Sequence, residues 1–335
     1  MLGVGIRGTG QVAVQHADAI QANPETYIAA VCGRSFESAK KFTEKYAPQA
    51  KVYANYEDML ADKAVDIVSE CMPNYLHAAE AVQALEAGKH LILEKPAGIN
   101  PGETRALEEA ARKTDKKSVV SFVARWHPLI VNMKSLLERQ ALGKVYYVET
   151  DYWHGIKPTF SSYEWIRKKQ FAGGAMITGG CHVVDIARYL NSEITEVFAY
   201  AAKNRDDFDY LTSYVASVKF ANGAIGKISA SLDGLYFPYQ FNIDILGTQG
   251  ACRNERFFCK EIFPVQNDWM SFSCPTPNSG AVNHHPFKEE INNLVDCILK
   301  GVSVKSDVLD ACKTMKAVYA ITESAETGKP VQVVD

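Results

Sequence analysis

The alternation of two periodicities through the first part of the chain narrows its possible folds more than any other property. Apolar runs at residues 2–6, 28–32, 65–68, 90–93 and 118–123 have the length and content of strands. Between them, residues 11–22, 38–42, 77–87 and 101–114 carry helical spacing, and Gly88 stands where a helix would end. Strands alternating with helices indicate βαβ units on a parallel sheet. Beyond about residue 122 the pattern changes to longer, aromatic, β-rich stretches at 145–153, 197–202, 214–220, 224–232 and 241–246. Asn222-Gly223 between two of these is a hairpin signal. The chain therefore reads as α/β. A first domain on a parallel sheet is expected over residues 1–121, and a second domain with a large, mostly antiparallel sheet over 122–335. Residues 287–299 and 308–323 read as helices of the second domain.

A chain of 335 residues with 47% hydrophobic content is long enough for two cores. Its net charge of −3 supplies no field for binding nucleic acid or an anionic membrane. No apolar run approaches the roughly 20 residues that span a bilayer. The N-terminal residues read as a first strand, without the basic region or cleavage site of a signal peptide. The eight cysteines are scattered, with no C-x-x-C pair, as expected of reduced, mostly buried thiols in a cytoplasmic protein.

The first strand runs into Gly8-Thr9-Gly10-Gln11-Val12-Ala13. In a dinucleotide turn the first glycine allows the tight bend and the second admits the pyrophosphate. A small third residue, here Ala13, brings the helix close to the sheet, and the helix N-terminus faces the phosphates. The end of the second strand selects the cofactor. An NAD enzyme usually places a carboxylate there, but this chain has Gly33, followed by Arg34 and Ser35. A carboxylate would repel a 2′-phosphate, whereas Arg34 can pair with it, so NADP is expected over NAD. The plainer reading of the same residues is an exposed loop arginine, with NAD held by other contacts.

Further along, the apolar run 91–93 delivers Glu94-Lys95 and stops at Pro96. Gly173-Gly174 then leads to His182 and Asp185. A cofactor turn, a lysine at a strand end and a later histidine together suggest hydride chemistry. Oxidising an alcohol removes a hydride from carbon and a proton from oxygen. The proton needs a base with a pKa near the working pH, which histidine has without perturbation. A lysine can stabilise the developing alkoxide. His182 as base and Lys95 as hydrogen-bonding cation is the simplest assignment. If residues 177–190 are helical, Thr178 and His182 share a face. Asp185 is expected to play a supporting role. The glycines at 173, 174, 179 and 180 read as places where substrate or nicotinamide approaches backbone.

With these residues assembled, the chain resembles the Gfo/Idh/MocA oxidoreductase family. Matching pieces follow in order: the glycine turn, Pro73-Asn74 with His77, Glu94-Lys95-Pro96, Trp165 with Arg167, Gly173-Gly174, and His182-Val183-Val184-Asp185. The resemblance implies a Rossmann domain followed by an α/β domain built on an open sheet. It also implies a nicotinamide cofactor and a sugar or cyclic polyol as substrate. The lysine at position 95 would touch the reacting hydroxyl, with the following proline often cis. Association as a homodimer or homotetramer would use the outer face of the second sheet. The chain departs from the family at Thr178, where many dehydrogenase members carry an aspartate four residues before the histidine. A threonine supplies no charge to stabilise imidazolium, so His182 is expected to be a weaker base and Lys95 to carry more of the proton transfer.

Pro73, Asn74, His77 and Glu94 are further candidates for the cofactor site, although His77 can equally serve in capping or packing. Arg125, Trp126 and His127 open the second domain, and Arg125 is a candidate substrate contact. Tyr152, Trp153, His154 and Trp165 suit an aromatic wall for a sugar ring, or simply a core. His284-His285, before a helix with Glu289 and Glu290, read as a substrate-contacting loop rather than a metal site; no metal is expected. Two other functions remain open at this level. One is a redox-neutral enzyme with a tightly bound cofactor, using transient oxidation for elimination or glycoside cleavage. The other is a non-catalytic dinucleotide-binding regulator.

Overall fold

The computed structural model describes residues 1–234, 236, 238–274 and 285–334. The chain divides into two compact units, Met1–Val123 with Val282–Cys312, and Ala124–Ala281 with Lys313–Asp335.

The first unit is built on β1 (Leu2–Arg7), β2 (Thr26–Cys32), β3 (Lys51–Tyr53), β4 (Ile67–Glu70), β5 (His90–Leu93) and β6 (Ser118–Val120). These pair in parallel in the order β3-β2-β1-β4-β5-β6. The connections are α1 (Gln11–Ala22), α2 (Phe36–Tyr46), α3 (Tyr56–Ala61), α4 (Asn74–Glu86) and α5 (Pro101–Arg112). Strand order reverses between β1 and β4, and ligands of such sheets bind outside the strand ends at that switch point. Val4, Ile6, Val31, Ile67, Leu91 and Ile92 form a core with no measurable exposure, as expected for strands covered on both faces.

The second unit carries α6 (Pro128–Glu138), β7 (Val145–Trp153), two short helices α7 (Tyr163–Ile166) and α8 (Lys169–Ala172), and α9 (Cys181–Leu190). Strands β8 (Ile194–Ala202), β9 (Ser213–Phe220), β10 (Ile225–Ser231), β11 (Gln240–Gly247), β12 (Gly250–Arg253), β13 (Arg256–Cys259) and β14 (Met270–Ser271) follow. With a late β15 (Val331–Gln332) they form a sheet in the order β14-β13-β12-β11-β7-β10-β9-β8-β15. Among the described residues its one parallel pair is β7 with β10. Asn222-Gly223 makes the β9–β10 turn, with Gly223 at φ +87°.

Two helices complete the chain, α10 (Phe287–Lys300) and α11 (Val308–Thr327). The sequence pattern assigns α10 to the second domain, but it belongs to the first unit. Its Phe287 ring packs on His16 of α1 at 4.8 Å, and Asn23 donates to Asn292 at 2.6 Å. The boundary at Cys312/Lys313 falls inside α11. An amphipathic pattern states that a helix has a buried face, not which partner covers it.

Helix α10 also buries Glu290 completely, and neither of its carboxyl oxygens makes a hydrogen bond among the described residues. Burial, with the nearby charge of Glu94, pushes this carboxyl well above the usual range. Folded chains therefore hold the proton after unfolded ones have lost it, and stability falls as pH rises from the ordinary carboxylate value toward the raised one. Glu290→Gln removes this term. Urea unfolding of the two proteins from pH 4 to 8 is expected to show their difference moving in the variant's favour, by up to about 1.4 kcal/mol per pH unit in that window. A pH-independent difference would refute the protonated state.

Candidate active site

In the first unit the glycine turn links β1 to α1. Gly8 has φ +106°, and a Cβ there would lie 2.6 Å from the Cys71 carbonyl oxygen, so both conformation and space demand glycine. Gly10 precedes α1 with no side-chain cap, no acidic residue stands in the first turn, and a Cβ at Gly10 would meet nothing within 4 Å. The helix therefore offers uncapped amides to open space beside Thr9, Gln11 and Val12. Ala13 is fully buried against the sheet. These residues fit a dinucleotide pyrophosphate.

At the end of β2, Gly33 is buried, and a Cβ there would lie 2.5 Å from the Ser38 hydroxyl. Ser35 caps α2 in a reciprocal pair with Ser38. Arg34 is exposed and makes no ion pair among the described residues. Beneath them lies a cluster that sequence reading missed. Arg7 pairs with both carboxylate oxygens of Glu80, Nε at 2.7 Å and Nη2 at 2.6 Å. Its Nη1 donates to the Gly33 carbonyl at 2.8 Å. The detectable signal was a charged residue closing an otherwise apolar strand just before a glycine turn.

At the ends of β4 and β5, Pro73 caps α4, Asn74 opens it and His77 lies one turn in, buried. His77 Nδ1 is 2.9 Å from the Pro96 carbonyl oxygen and Nε2 is 2.7 Å from that of Met72. Burial pushes its pKa down despite these bonds. A neutral imidazole has one N–H, so it donates to one carbonyl at a time. His77 thus ties down the loop that carries Lys95. Lys95 is half-buried and its bond to Pro96 is cis. Glu94 turns inward to meet His16 Nε2 at 3.2 Å, and His16 Nδ1 lies 2.8 Å from the Ser69 hydroxyl. Burial raises the Glu94 pKa, but the His16 hydrogen bond and the charges of His16, Lys95 and His77 outweigh it, so the net shift is downward. Glu94, expected at the cofactor, has its carboxylate directed to α1.

In the second unit, the helix expected over 177–190 begins as a π turn, Met176–Gly180, before α9. This wider turn breaks the simple one-turn relation between Thr178 and His182. The Thr178 hydroxyl donates to the Ala172 carbonyl at 3.1 Å. His182 is buried and its ring stacks on Tyr152 at 5.8 Å between centroids and 24° between planes. Tyr152 in turn meets His154, with Oη 3.2 Å from Nδ1, and packs edge-on to Tyr239 at 5.5 Å. His154 packs against Tyr239 and Phe160. Tyr152 thus joins His182 to an aromatic cluster of His154, Tyr239 and Phe160.

Several expected contacts are placed elsewhere. Trp153 is adjacent to Tyr152 in a strand and points to the opposite face, where its Nε1 donates to Ser229 at 2.9 Å. It is not part of the cluster. Arg125, expected at the substrate, is 3% exposed and pairs with fully buried Asp185 through Nε at 2.8 Å and Nη2 at 2.5 Å. Thr314 donates to the same carboxylate at 2.9 Å. Arg125 and Asp185 thus form a structural pair. Trp165 is half-buried on α7. Gly179 and Gly180 make room for protein rather than ligand: Cβ atoms there would lie 2.6 Å from the Tyr152 ring and 2.7 Å from Met176. A Cβ at Gly174, at φ +135°, would meet nothing within 4 Å. His284 lies outside the described residues. Among the described residues no cluster of three or more His, Cys, Asp or Glu side chains is placed to hold a metal, and no helix is long and apolar enough to cross a membrane. All eight thiols are free.

Comparison with known proteins decides the family. The model of an oxidoreductase family with an NAD-binding Rossmann fold matches residues 2–122, and that of the GFO/IDH/MocA C-terminal domain matches residues 130–253. The chain belongs to the Gfo/Idh/MocA oxidoreductase family. It is 26% identical over 285 residues to scyllo-inositol 2-dehydrogenase (NAD(+)) of Bacillus subtilis strain 168, covering 82% of this chain and 80% of the relative. It is 26% identical over 336 residues to D-xylose 1-dehydrogenase (NADP(+)) 2 of Haloferax volcanii, covering 98% and 99%. Among solved structures, an NAD-binding oxidoreductase from Klebsiella pneumoniae superposes with a TM-score of 0.89 over 100% of this chain and 99% of that one, at 22% identity. This Gfo/Idh/MocA protein is thus an oxidoreductase with a nicotinamide-cofactor domain, in a family of NAD(P)-dependent sugar and polyol dehydrogenases.

Proposed function

We propose that this protein transfers a hydride between NADP and a secondary alcohol or ketone of a sugar, glycoside or cyclic polyol. The observation that carries the reading is the aromatic cluster joined to His182 in a chain that also has the cofactor turn and Lys95. Tyr239 and Phe160 bring ring surface that suits the apolar face of a pyranose or cyclitol, with Tyr152 buried behind them against His182, while His154 and His182 supply polar edges. The relatives named for inositol and D-xylose support the same substrate class.

When bound, the cofactor supplies the hydride acceptor at its nicotinamide ring. Lys95 donates a hydrogen bond to the reacting oxygen and stabilises the alkoxide as it forms. His182 accepts the hydroxyl proton. With Thr178 in place of the more usual aspartate, the imidazolium has no carboxylate from that position, and the Lys95 ammonium takes a larger share of the charge. Arg34, exposed beside a strand end without a carboxylate, favours the 2′-phosphate of NADP. Tyr200, Val215 and Ile225 expose apolar surface on the outer face of the second sheet, which supports self-association as a dimer or tetramer. Light scattering that returns the monomer mass would remove that part of the reading.

The test is to incubate the protein with NADP⁺ and a panel of sugars, cyclic polyols and glycosides, following reduced cofactor and analysing products. Reduction with at least one polyol or sugar is the expected result. Substrate conversion without accumulation of NADPH would replace this reading with a redox-neutral one.

A further inference from the structure

The floor under the end of β2 carries an unusual charge arrangement. Arg7 is the last residue of β1, paired in register with Cys32 of β2. Its side chain is 12% exposed and that of Glu80 is 10%. The guanidinium grips Glu80 with two hydrogen bonds, donates to the Gly33 carbonyl, and lies 5.1 Å above the Tyr56 ring, whose hydroxyl donates to the Glu80 carbonyl at 3.1 Å. Behind Glu80 is a second carboxyl, Glu70, fully buried, with Oε1 accepting from the Met72 amide at 3.0 Å and Oε2 without a partner among the described residues. Burial and the neighbouring Glu80 charge push the Glu70 carboxyl well above the usual range. The bidentate contact sets the Arg7 cation against the Glu80 anion, and Arg34, next in the chain to Gly33, adds a further cation.

We propose that Arg7 and Glu80 are a specificity-determining pair for the cofactor: Arg7 cancels the carboxylate beneath β2 and holds the Gly33 carbonyl in place, which permits a 2′-phosphate next to Arg34. This rests on the reading of Arg34 as the phosphate-binding residue. In a dehydrogenase selective for NAD, a carboxylate at this strand end takes the ribose hydroxyls and excludes the phosphate. Here a carboxylate is present, on α4 rather than on β2, but a bidentate arginine neutralises it. Its charge therefore does not oppose a phosphate that carries close to two negative charges.

The two partners make opposite predictions. Arg7→Met leaves Glu80 uncompensated, and the ratio of NADP⁺ to NAD⁺ affinity should fall about tenfold. Glu80→Gln leaves Arg7 uncompensated, and the ratio should rise. The double variant restores neutrality and should return toward the wild-type ratio. A pair that merely braces the fold would weaken both cofactors equally in either single variant. Isothermal titration calorimetry of the full chain at pH 8 and low salt, with NADP⁺ and NAD⁺ separately, reads the ratio without any substrate. Single variants that leave it unchanged, or move it in the same direction, overturn the proposal. If Arg7→Met does not fold, the rise expected from Glu80→Gln carries the test alone. Arg34→Ala measured alongside separates the two ideas. Loss of preference there supports the phosphate role of Arg34. An unchanged preference refutes that role and with it the placement of the phosphate beside Arg34, whereas opposite shifts in the Arg7 and Glu80 variants would still show that the pair sets the cofactor ratio.

Discussion

Lys95→Ala is expected to lower kcat on the substrate found in the panel by about 10³-fold while leaving the NADP⁺ dissociation constant within about threefold. The lysine is half-buried at the end of β5, in a loop whose backbone is tied to α4 by His77 and whose neighbour Glu94 is tied to α1 by His16. Its removal therefore takes away a positioned cation and leaves the frame standing. An oxyanion developing in a site that excludes water depends strongly on such a cation, and solvent does not replace it. Single-turnover kinetics with calorimetry for cofactor binding separates the two quantities. A variant that keeps more than about a tenth of kcat would remove Lys95 from the chemistry. A variant that loses cofactor binding to the same degree as turnover would make it a binding residue instead.

The largest expected effect on stability comes from the partner of a residue first considered for substrate binding. Asp185→Ala should destabilise the second unit by about 3–5 kcal/mol, because it removes a bidentate carboxylate from the buried Arg125 guanidinium. The pair is buried on both sides, bidentate, and extended through Thr314 to Arg188, whose Nη1 donates to the threonine hydroxyl at 2.6 Å. Breaking one member is much worse than removing both, so Arg125→Met combined with Asp185→Leu should recover a large part of the loss. Chemical denaturation of the single and double variants measures this directly. If Arg125 contacted substrate instead, its variants would fold normally with a raised KM, and the double-variant recovery would be absent.

These results define what could be read from residues in a row. Alternation of strand and helix up to about residue 122 specifies a parallel sheet because each element's period follows from its own geometry. The glycine turn is similarly local: Gly8 needs its positive φ and its missing Cβ whatever else the chain does. The strand that leads to Lys95 declares itself by an apolar run followed by a proline. For these parts, chemistry along a few consecutive residues was sufficient, and the match of residues 2–122 to an NAD-binding Rossmann model agrees with the parallel sheet.

Other features depend on residues far apart in sequence. Period-two alternation states that Tyr152 and Trp153 point to opposite faces, but not that α9 covers the face with Tyr152. Aromatic content alone therefore grouped Trp153 with Tyr152, whereas Trp153 donates to Ser229 on the other face. Gly179 looked like a ligand approach, whereas the ring that approaches it comes from position 152. Arg125 looked available until its carboxylate arrived from position 185, and Arg7 acquires its role only when Glu80 reaches it from α4. Sequence by itself determined the parallel sheet, its glycine turn and the chemical types at the strand ends, since local backbone geometry dictates them. Tertiary structure alone decided which charges are neutralised, which aromatic ring stacks on His182 and which unit receives α10, because burial and ion pairing are properties of neighbours in space.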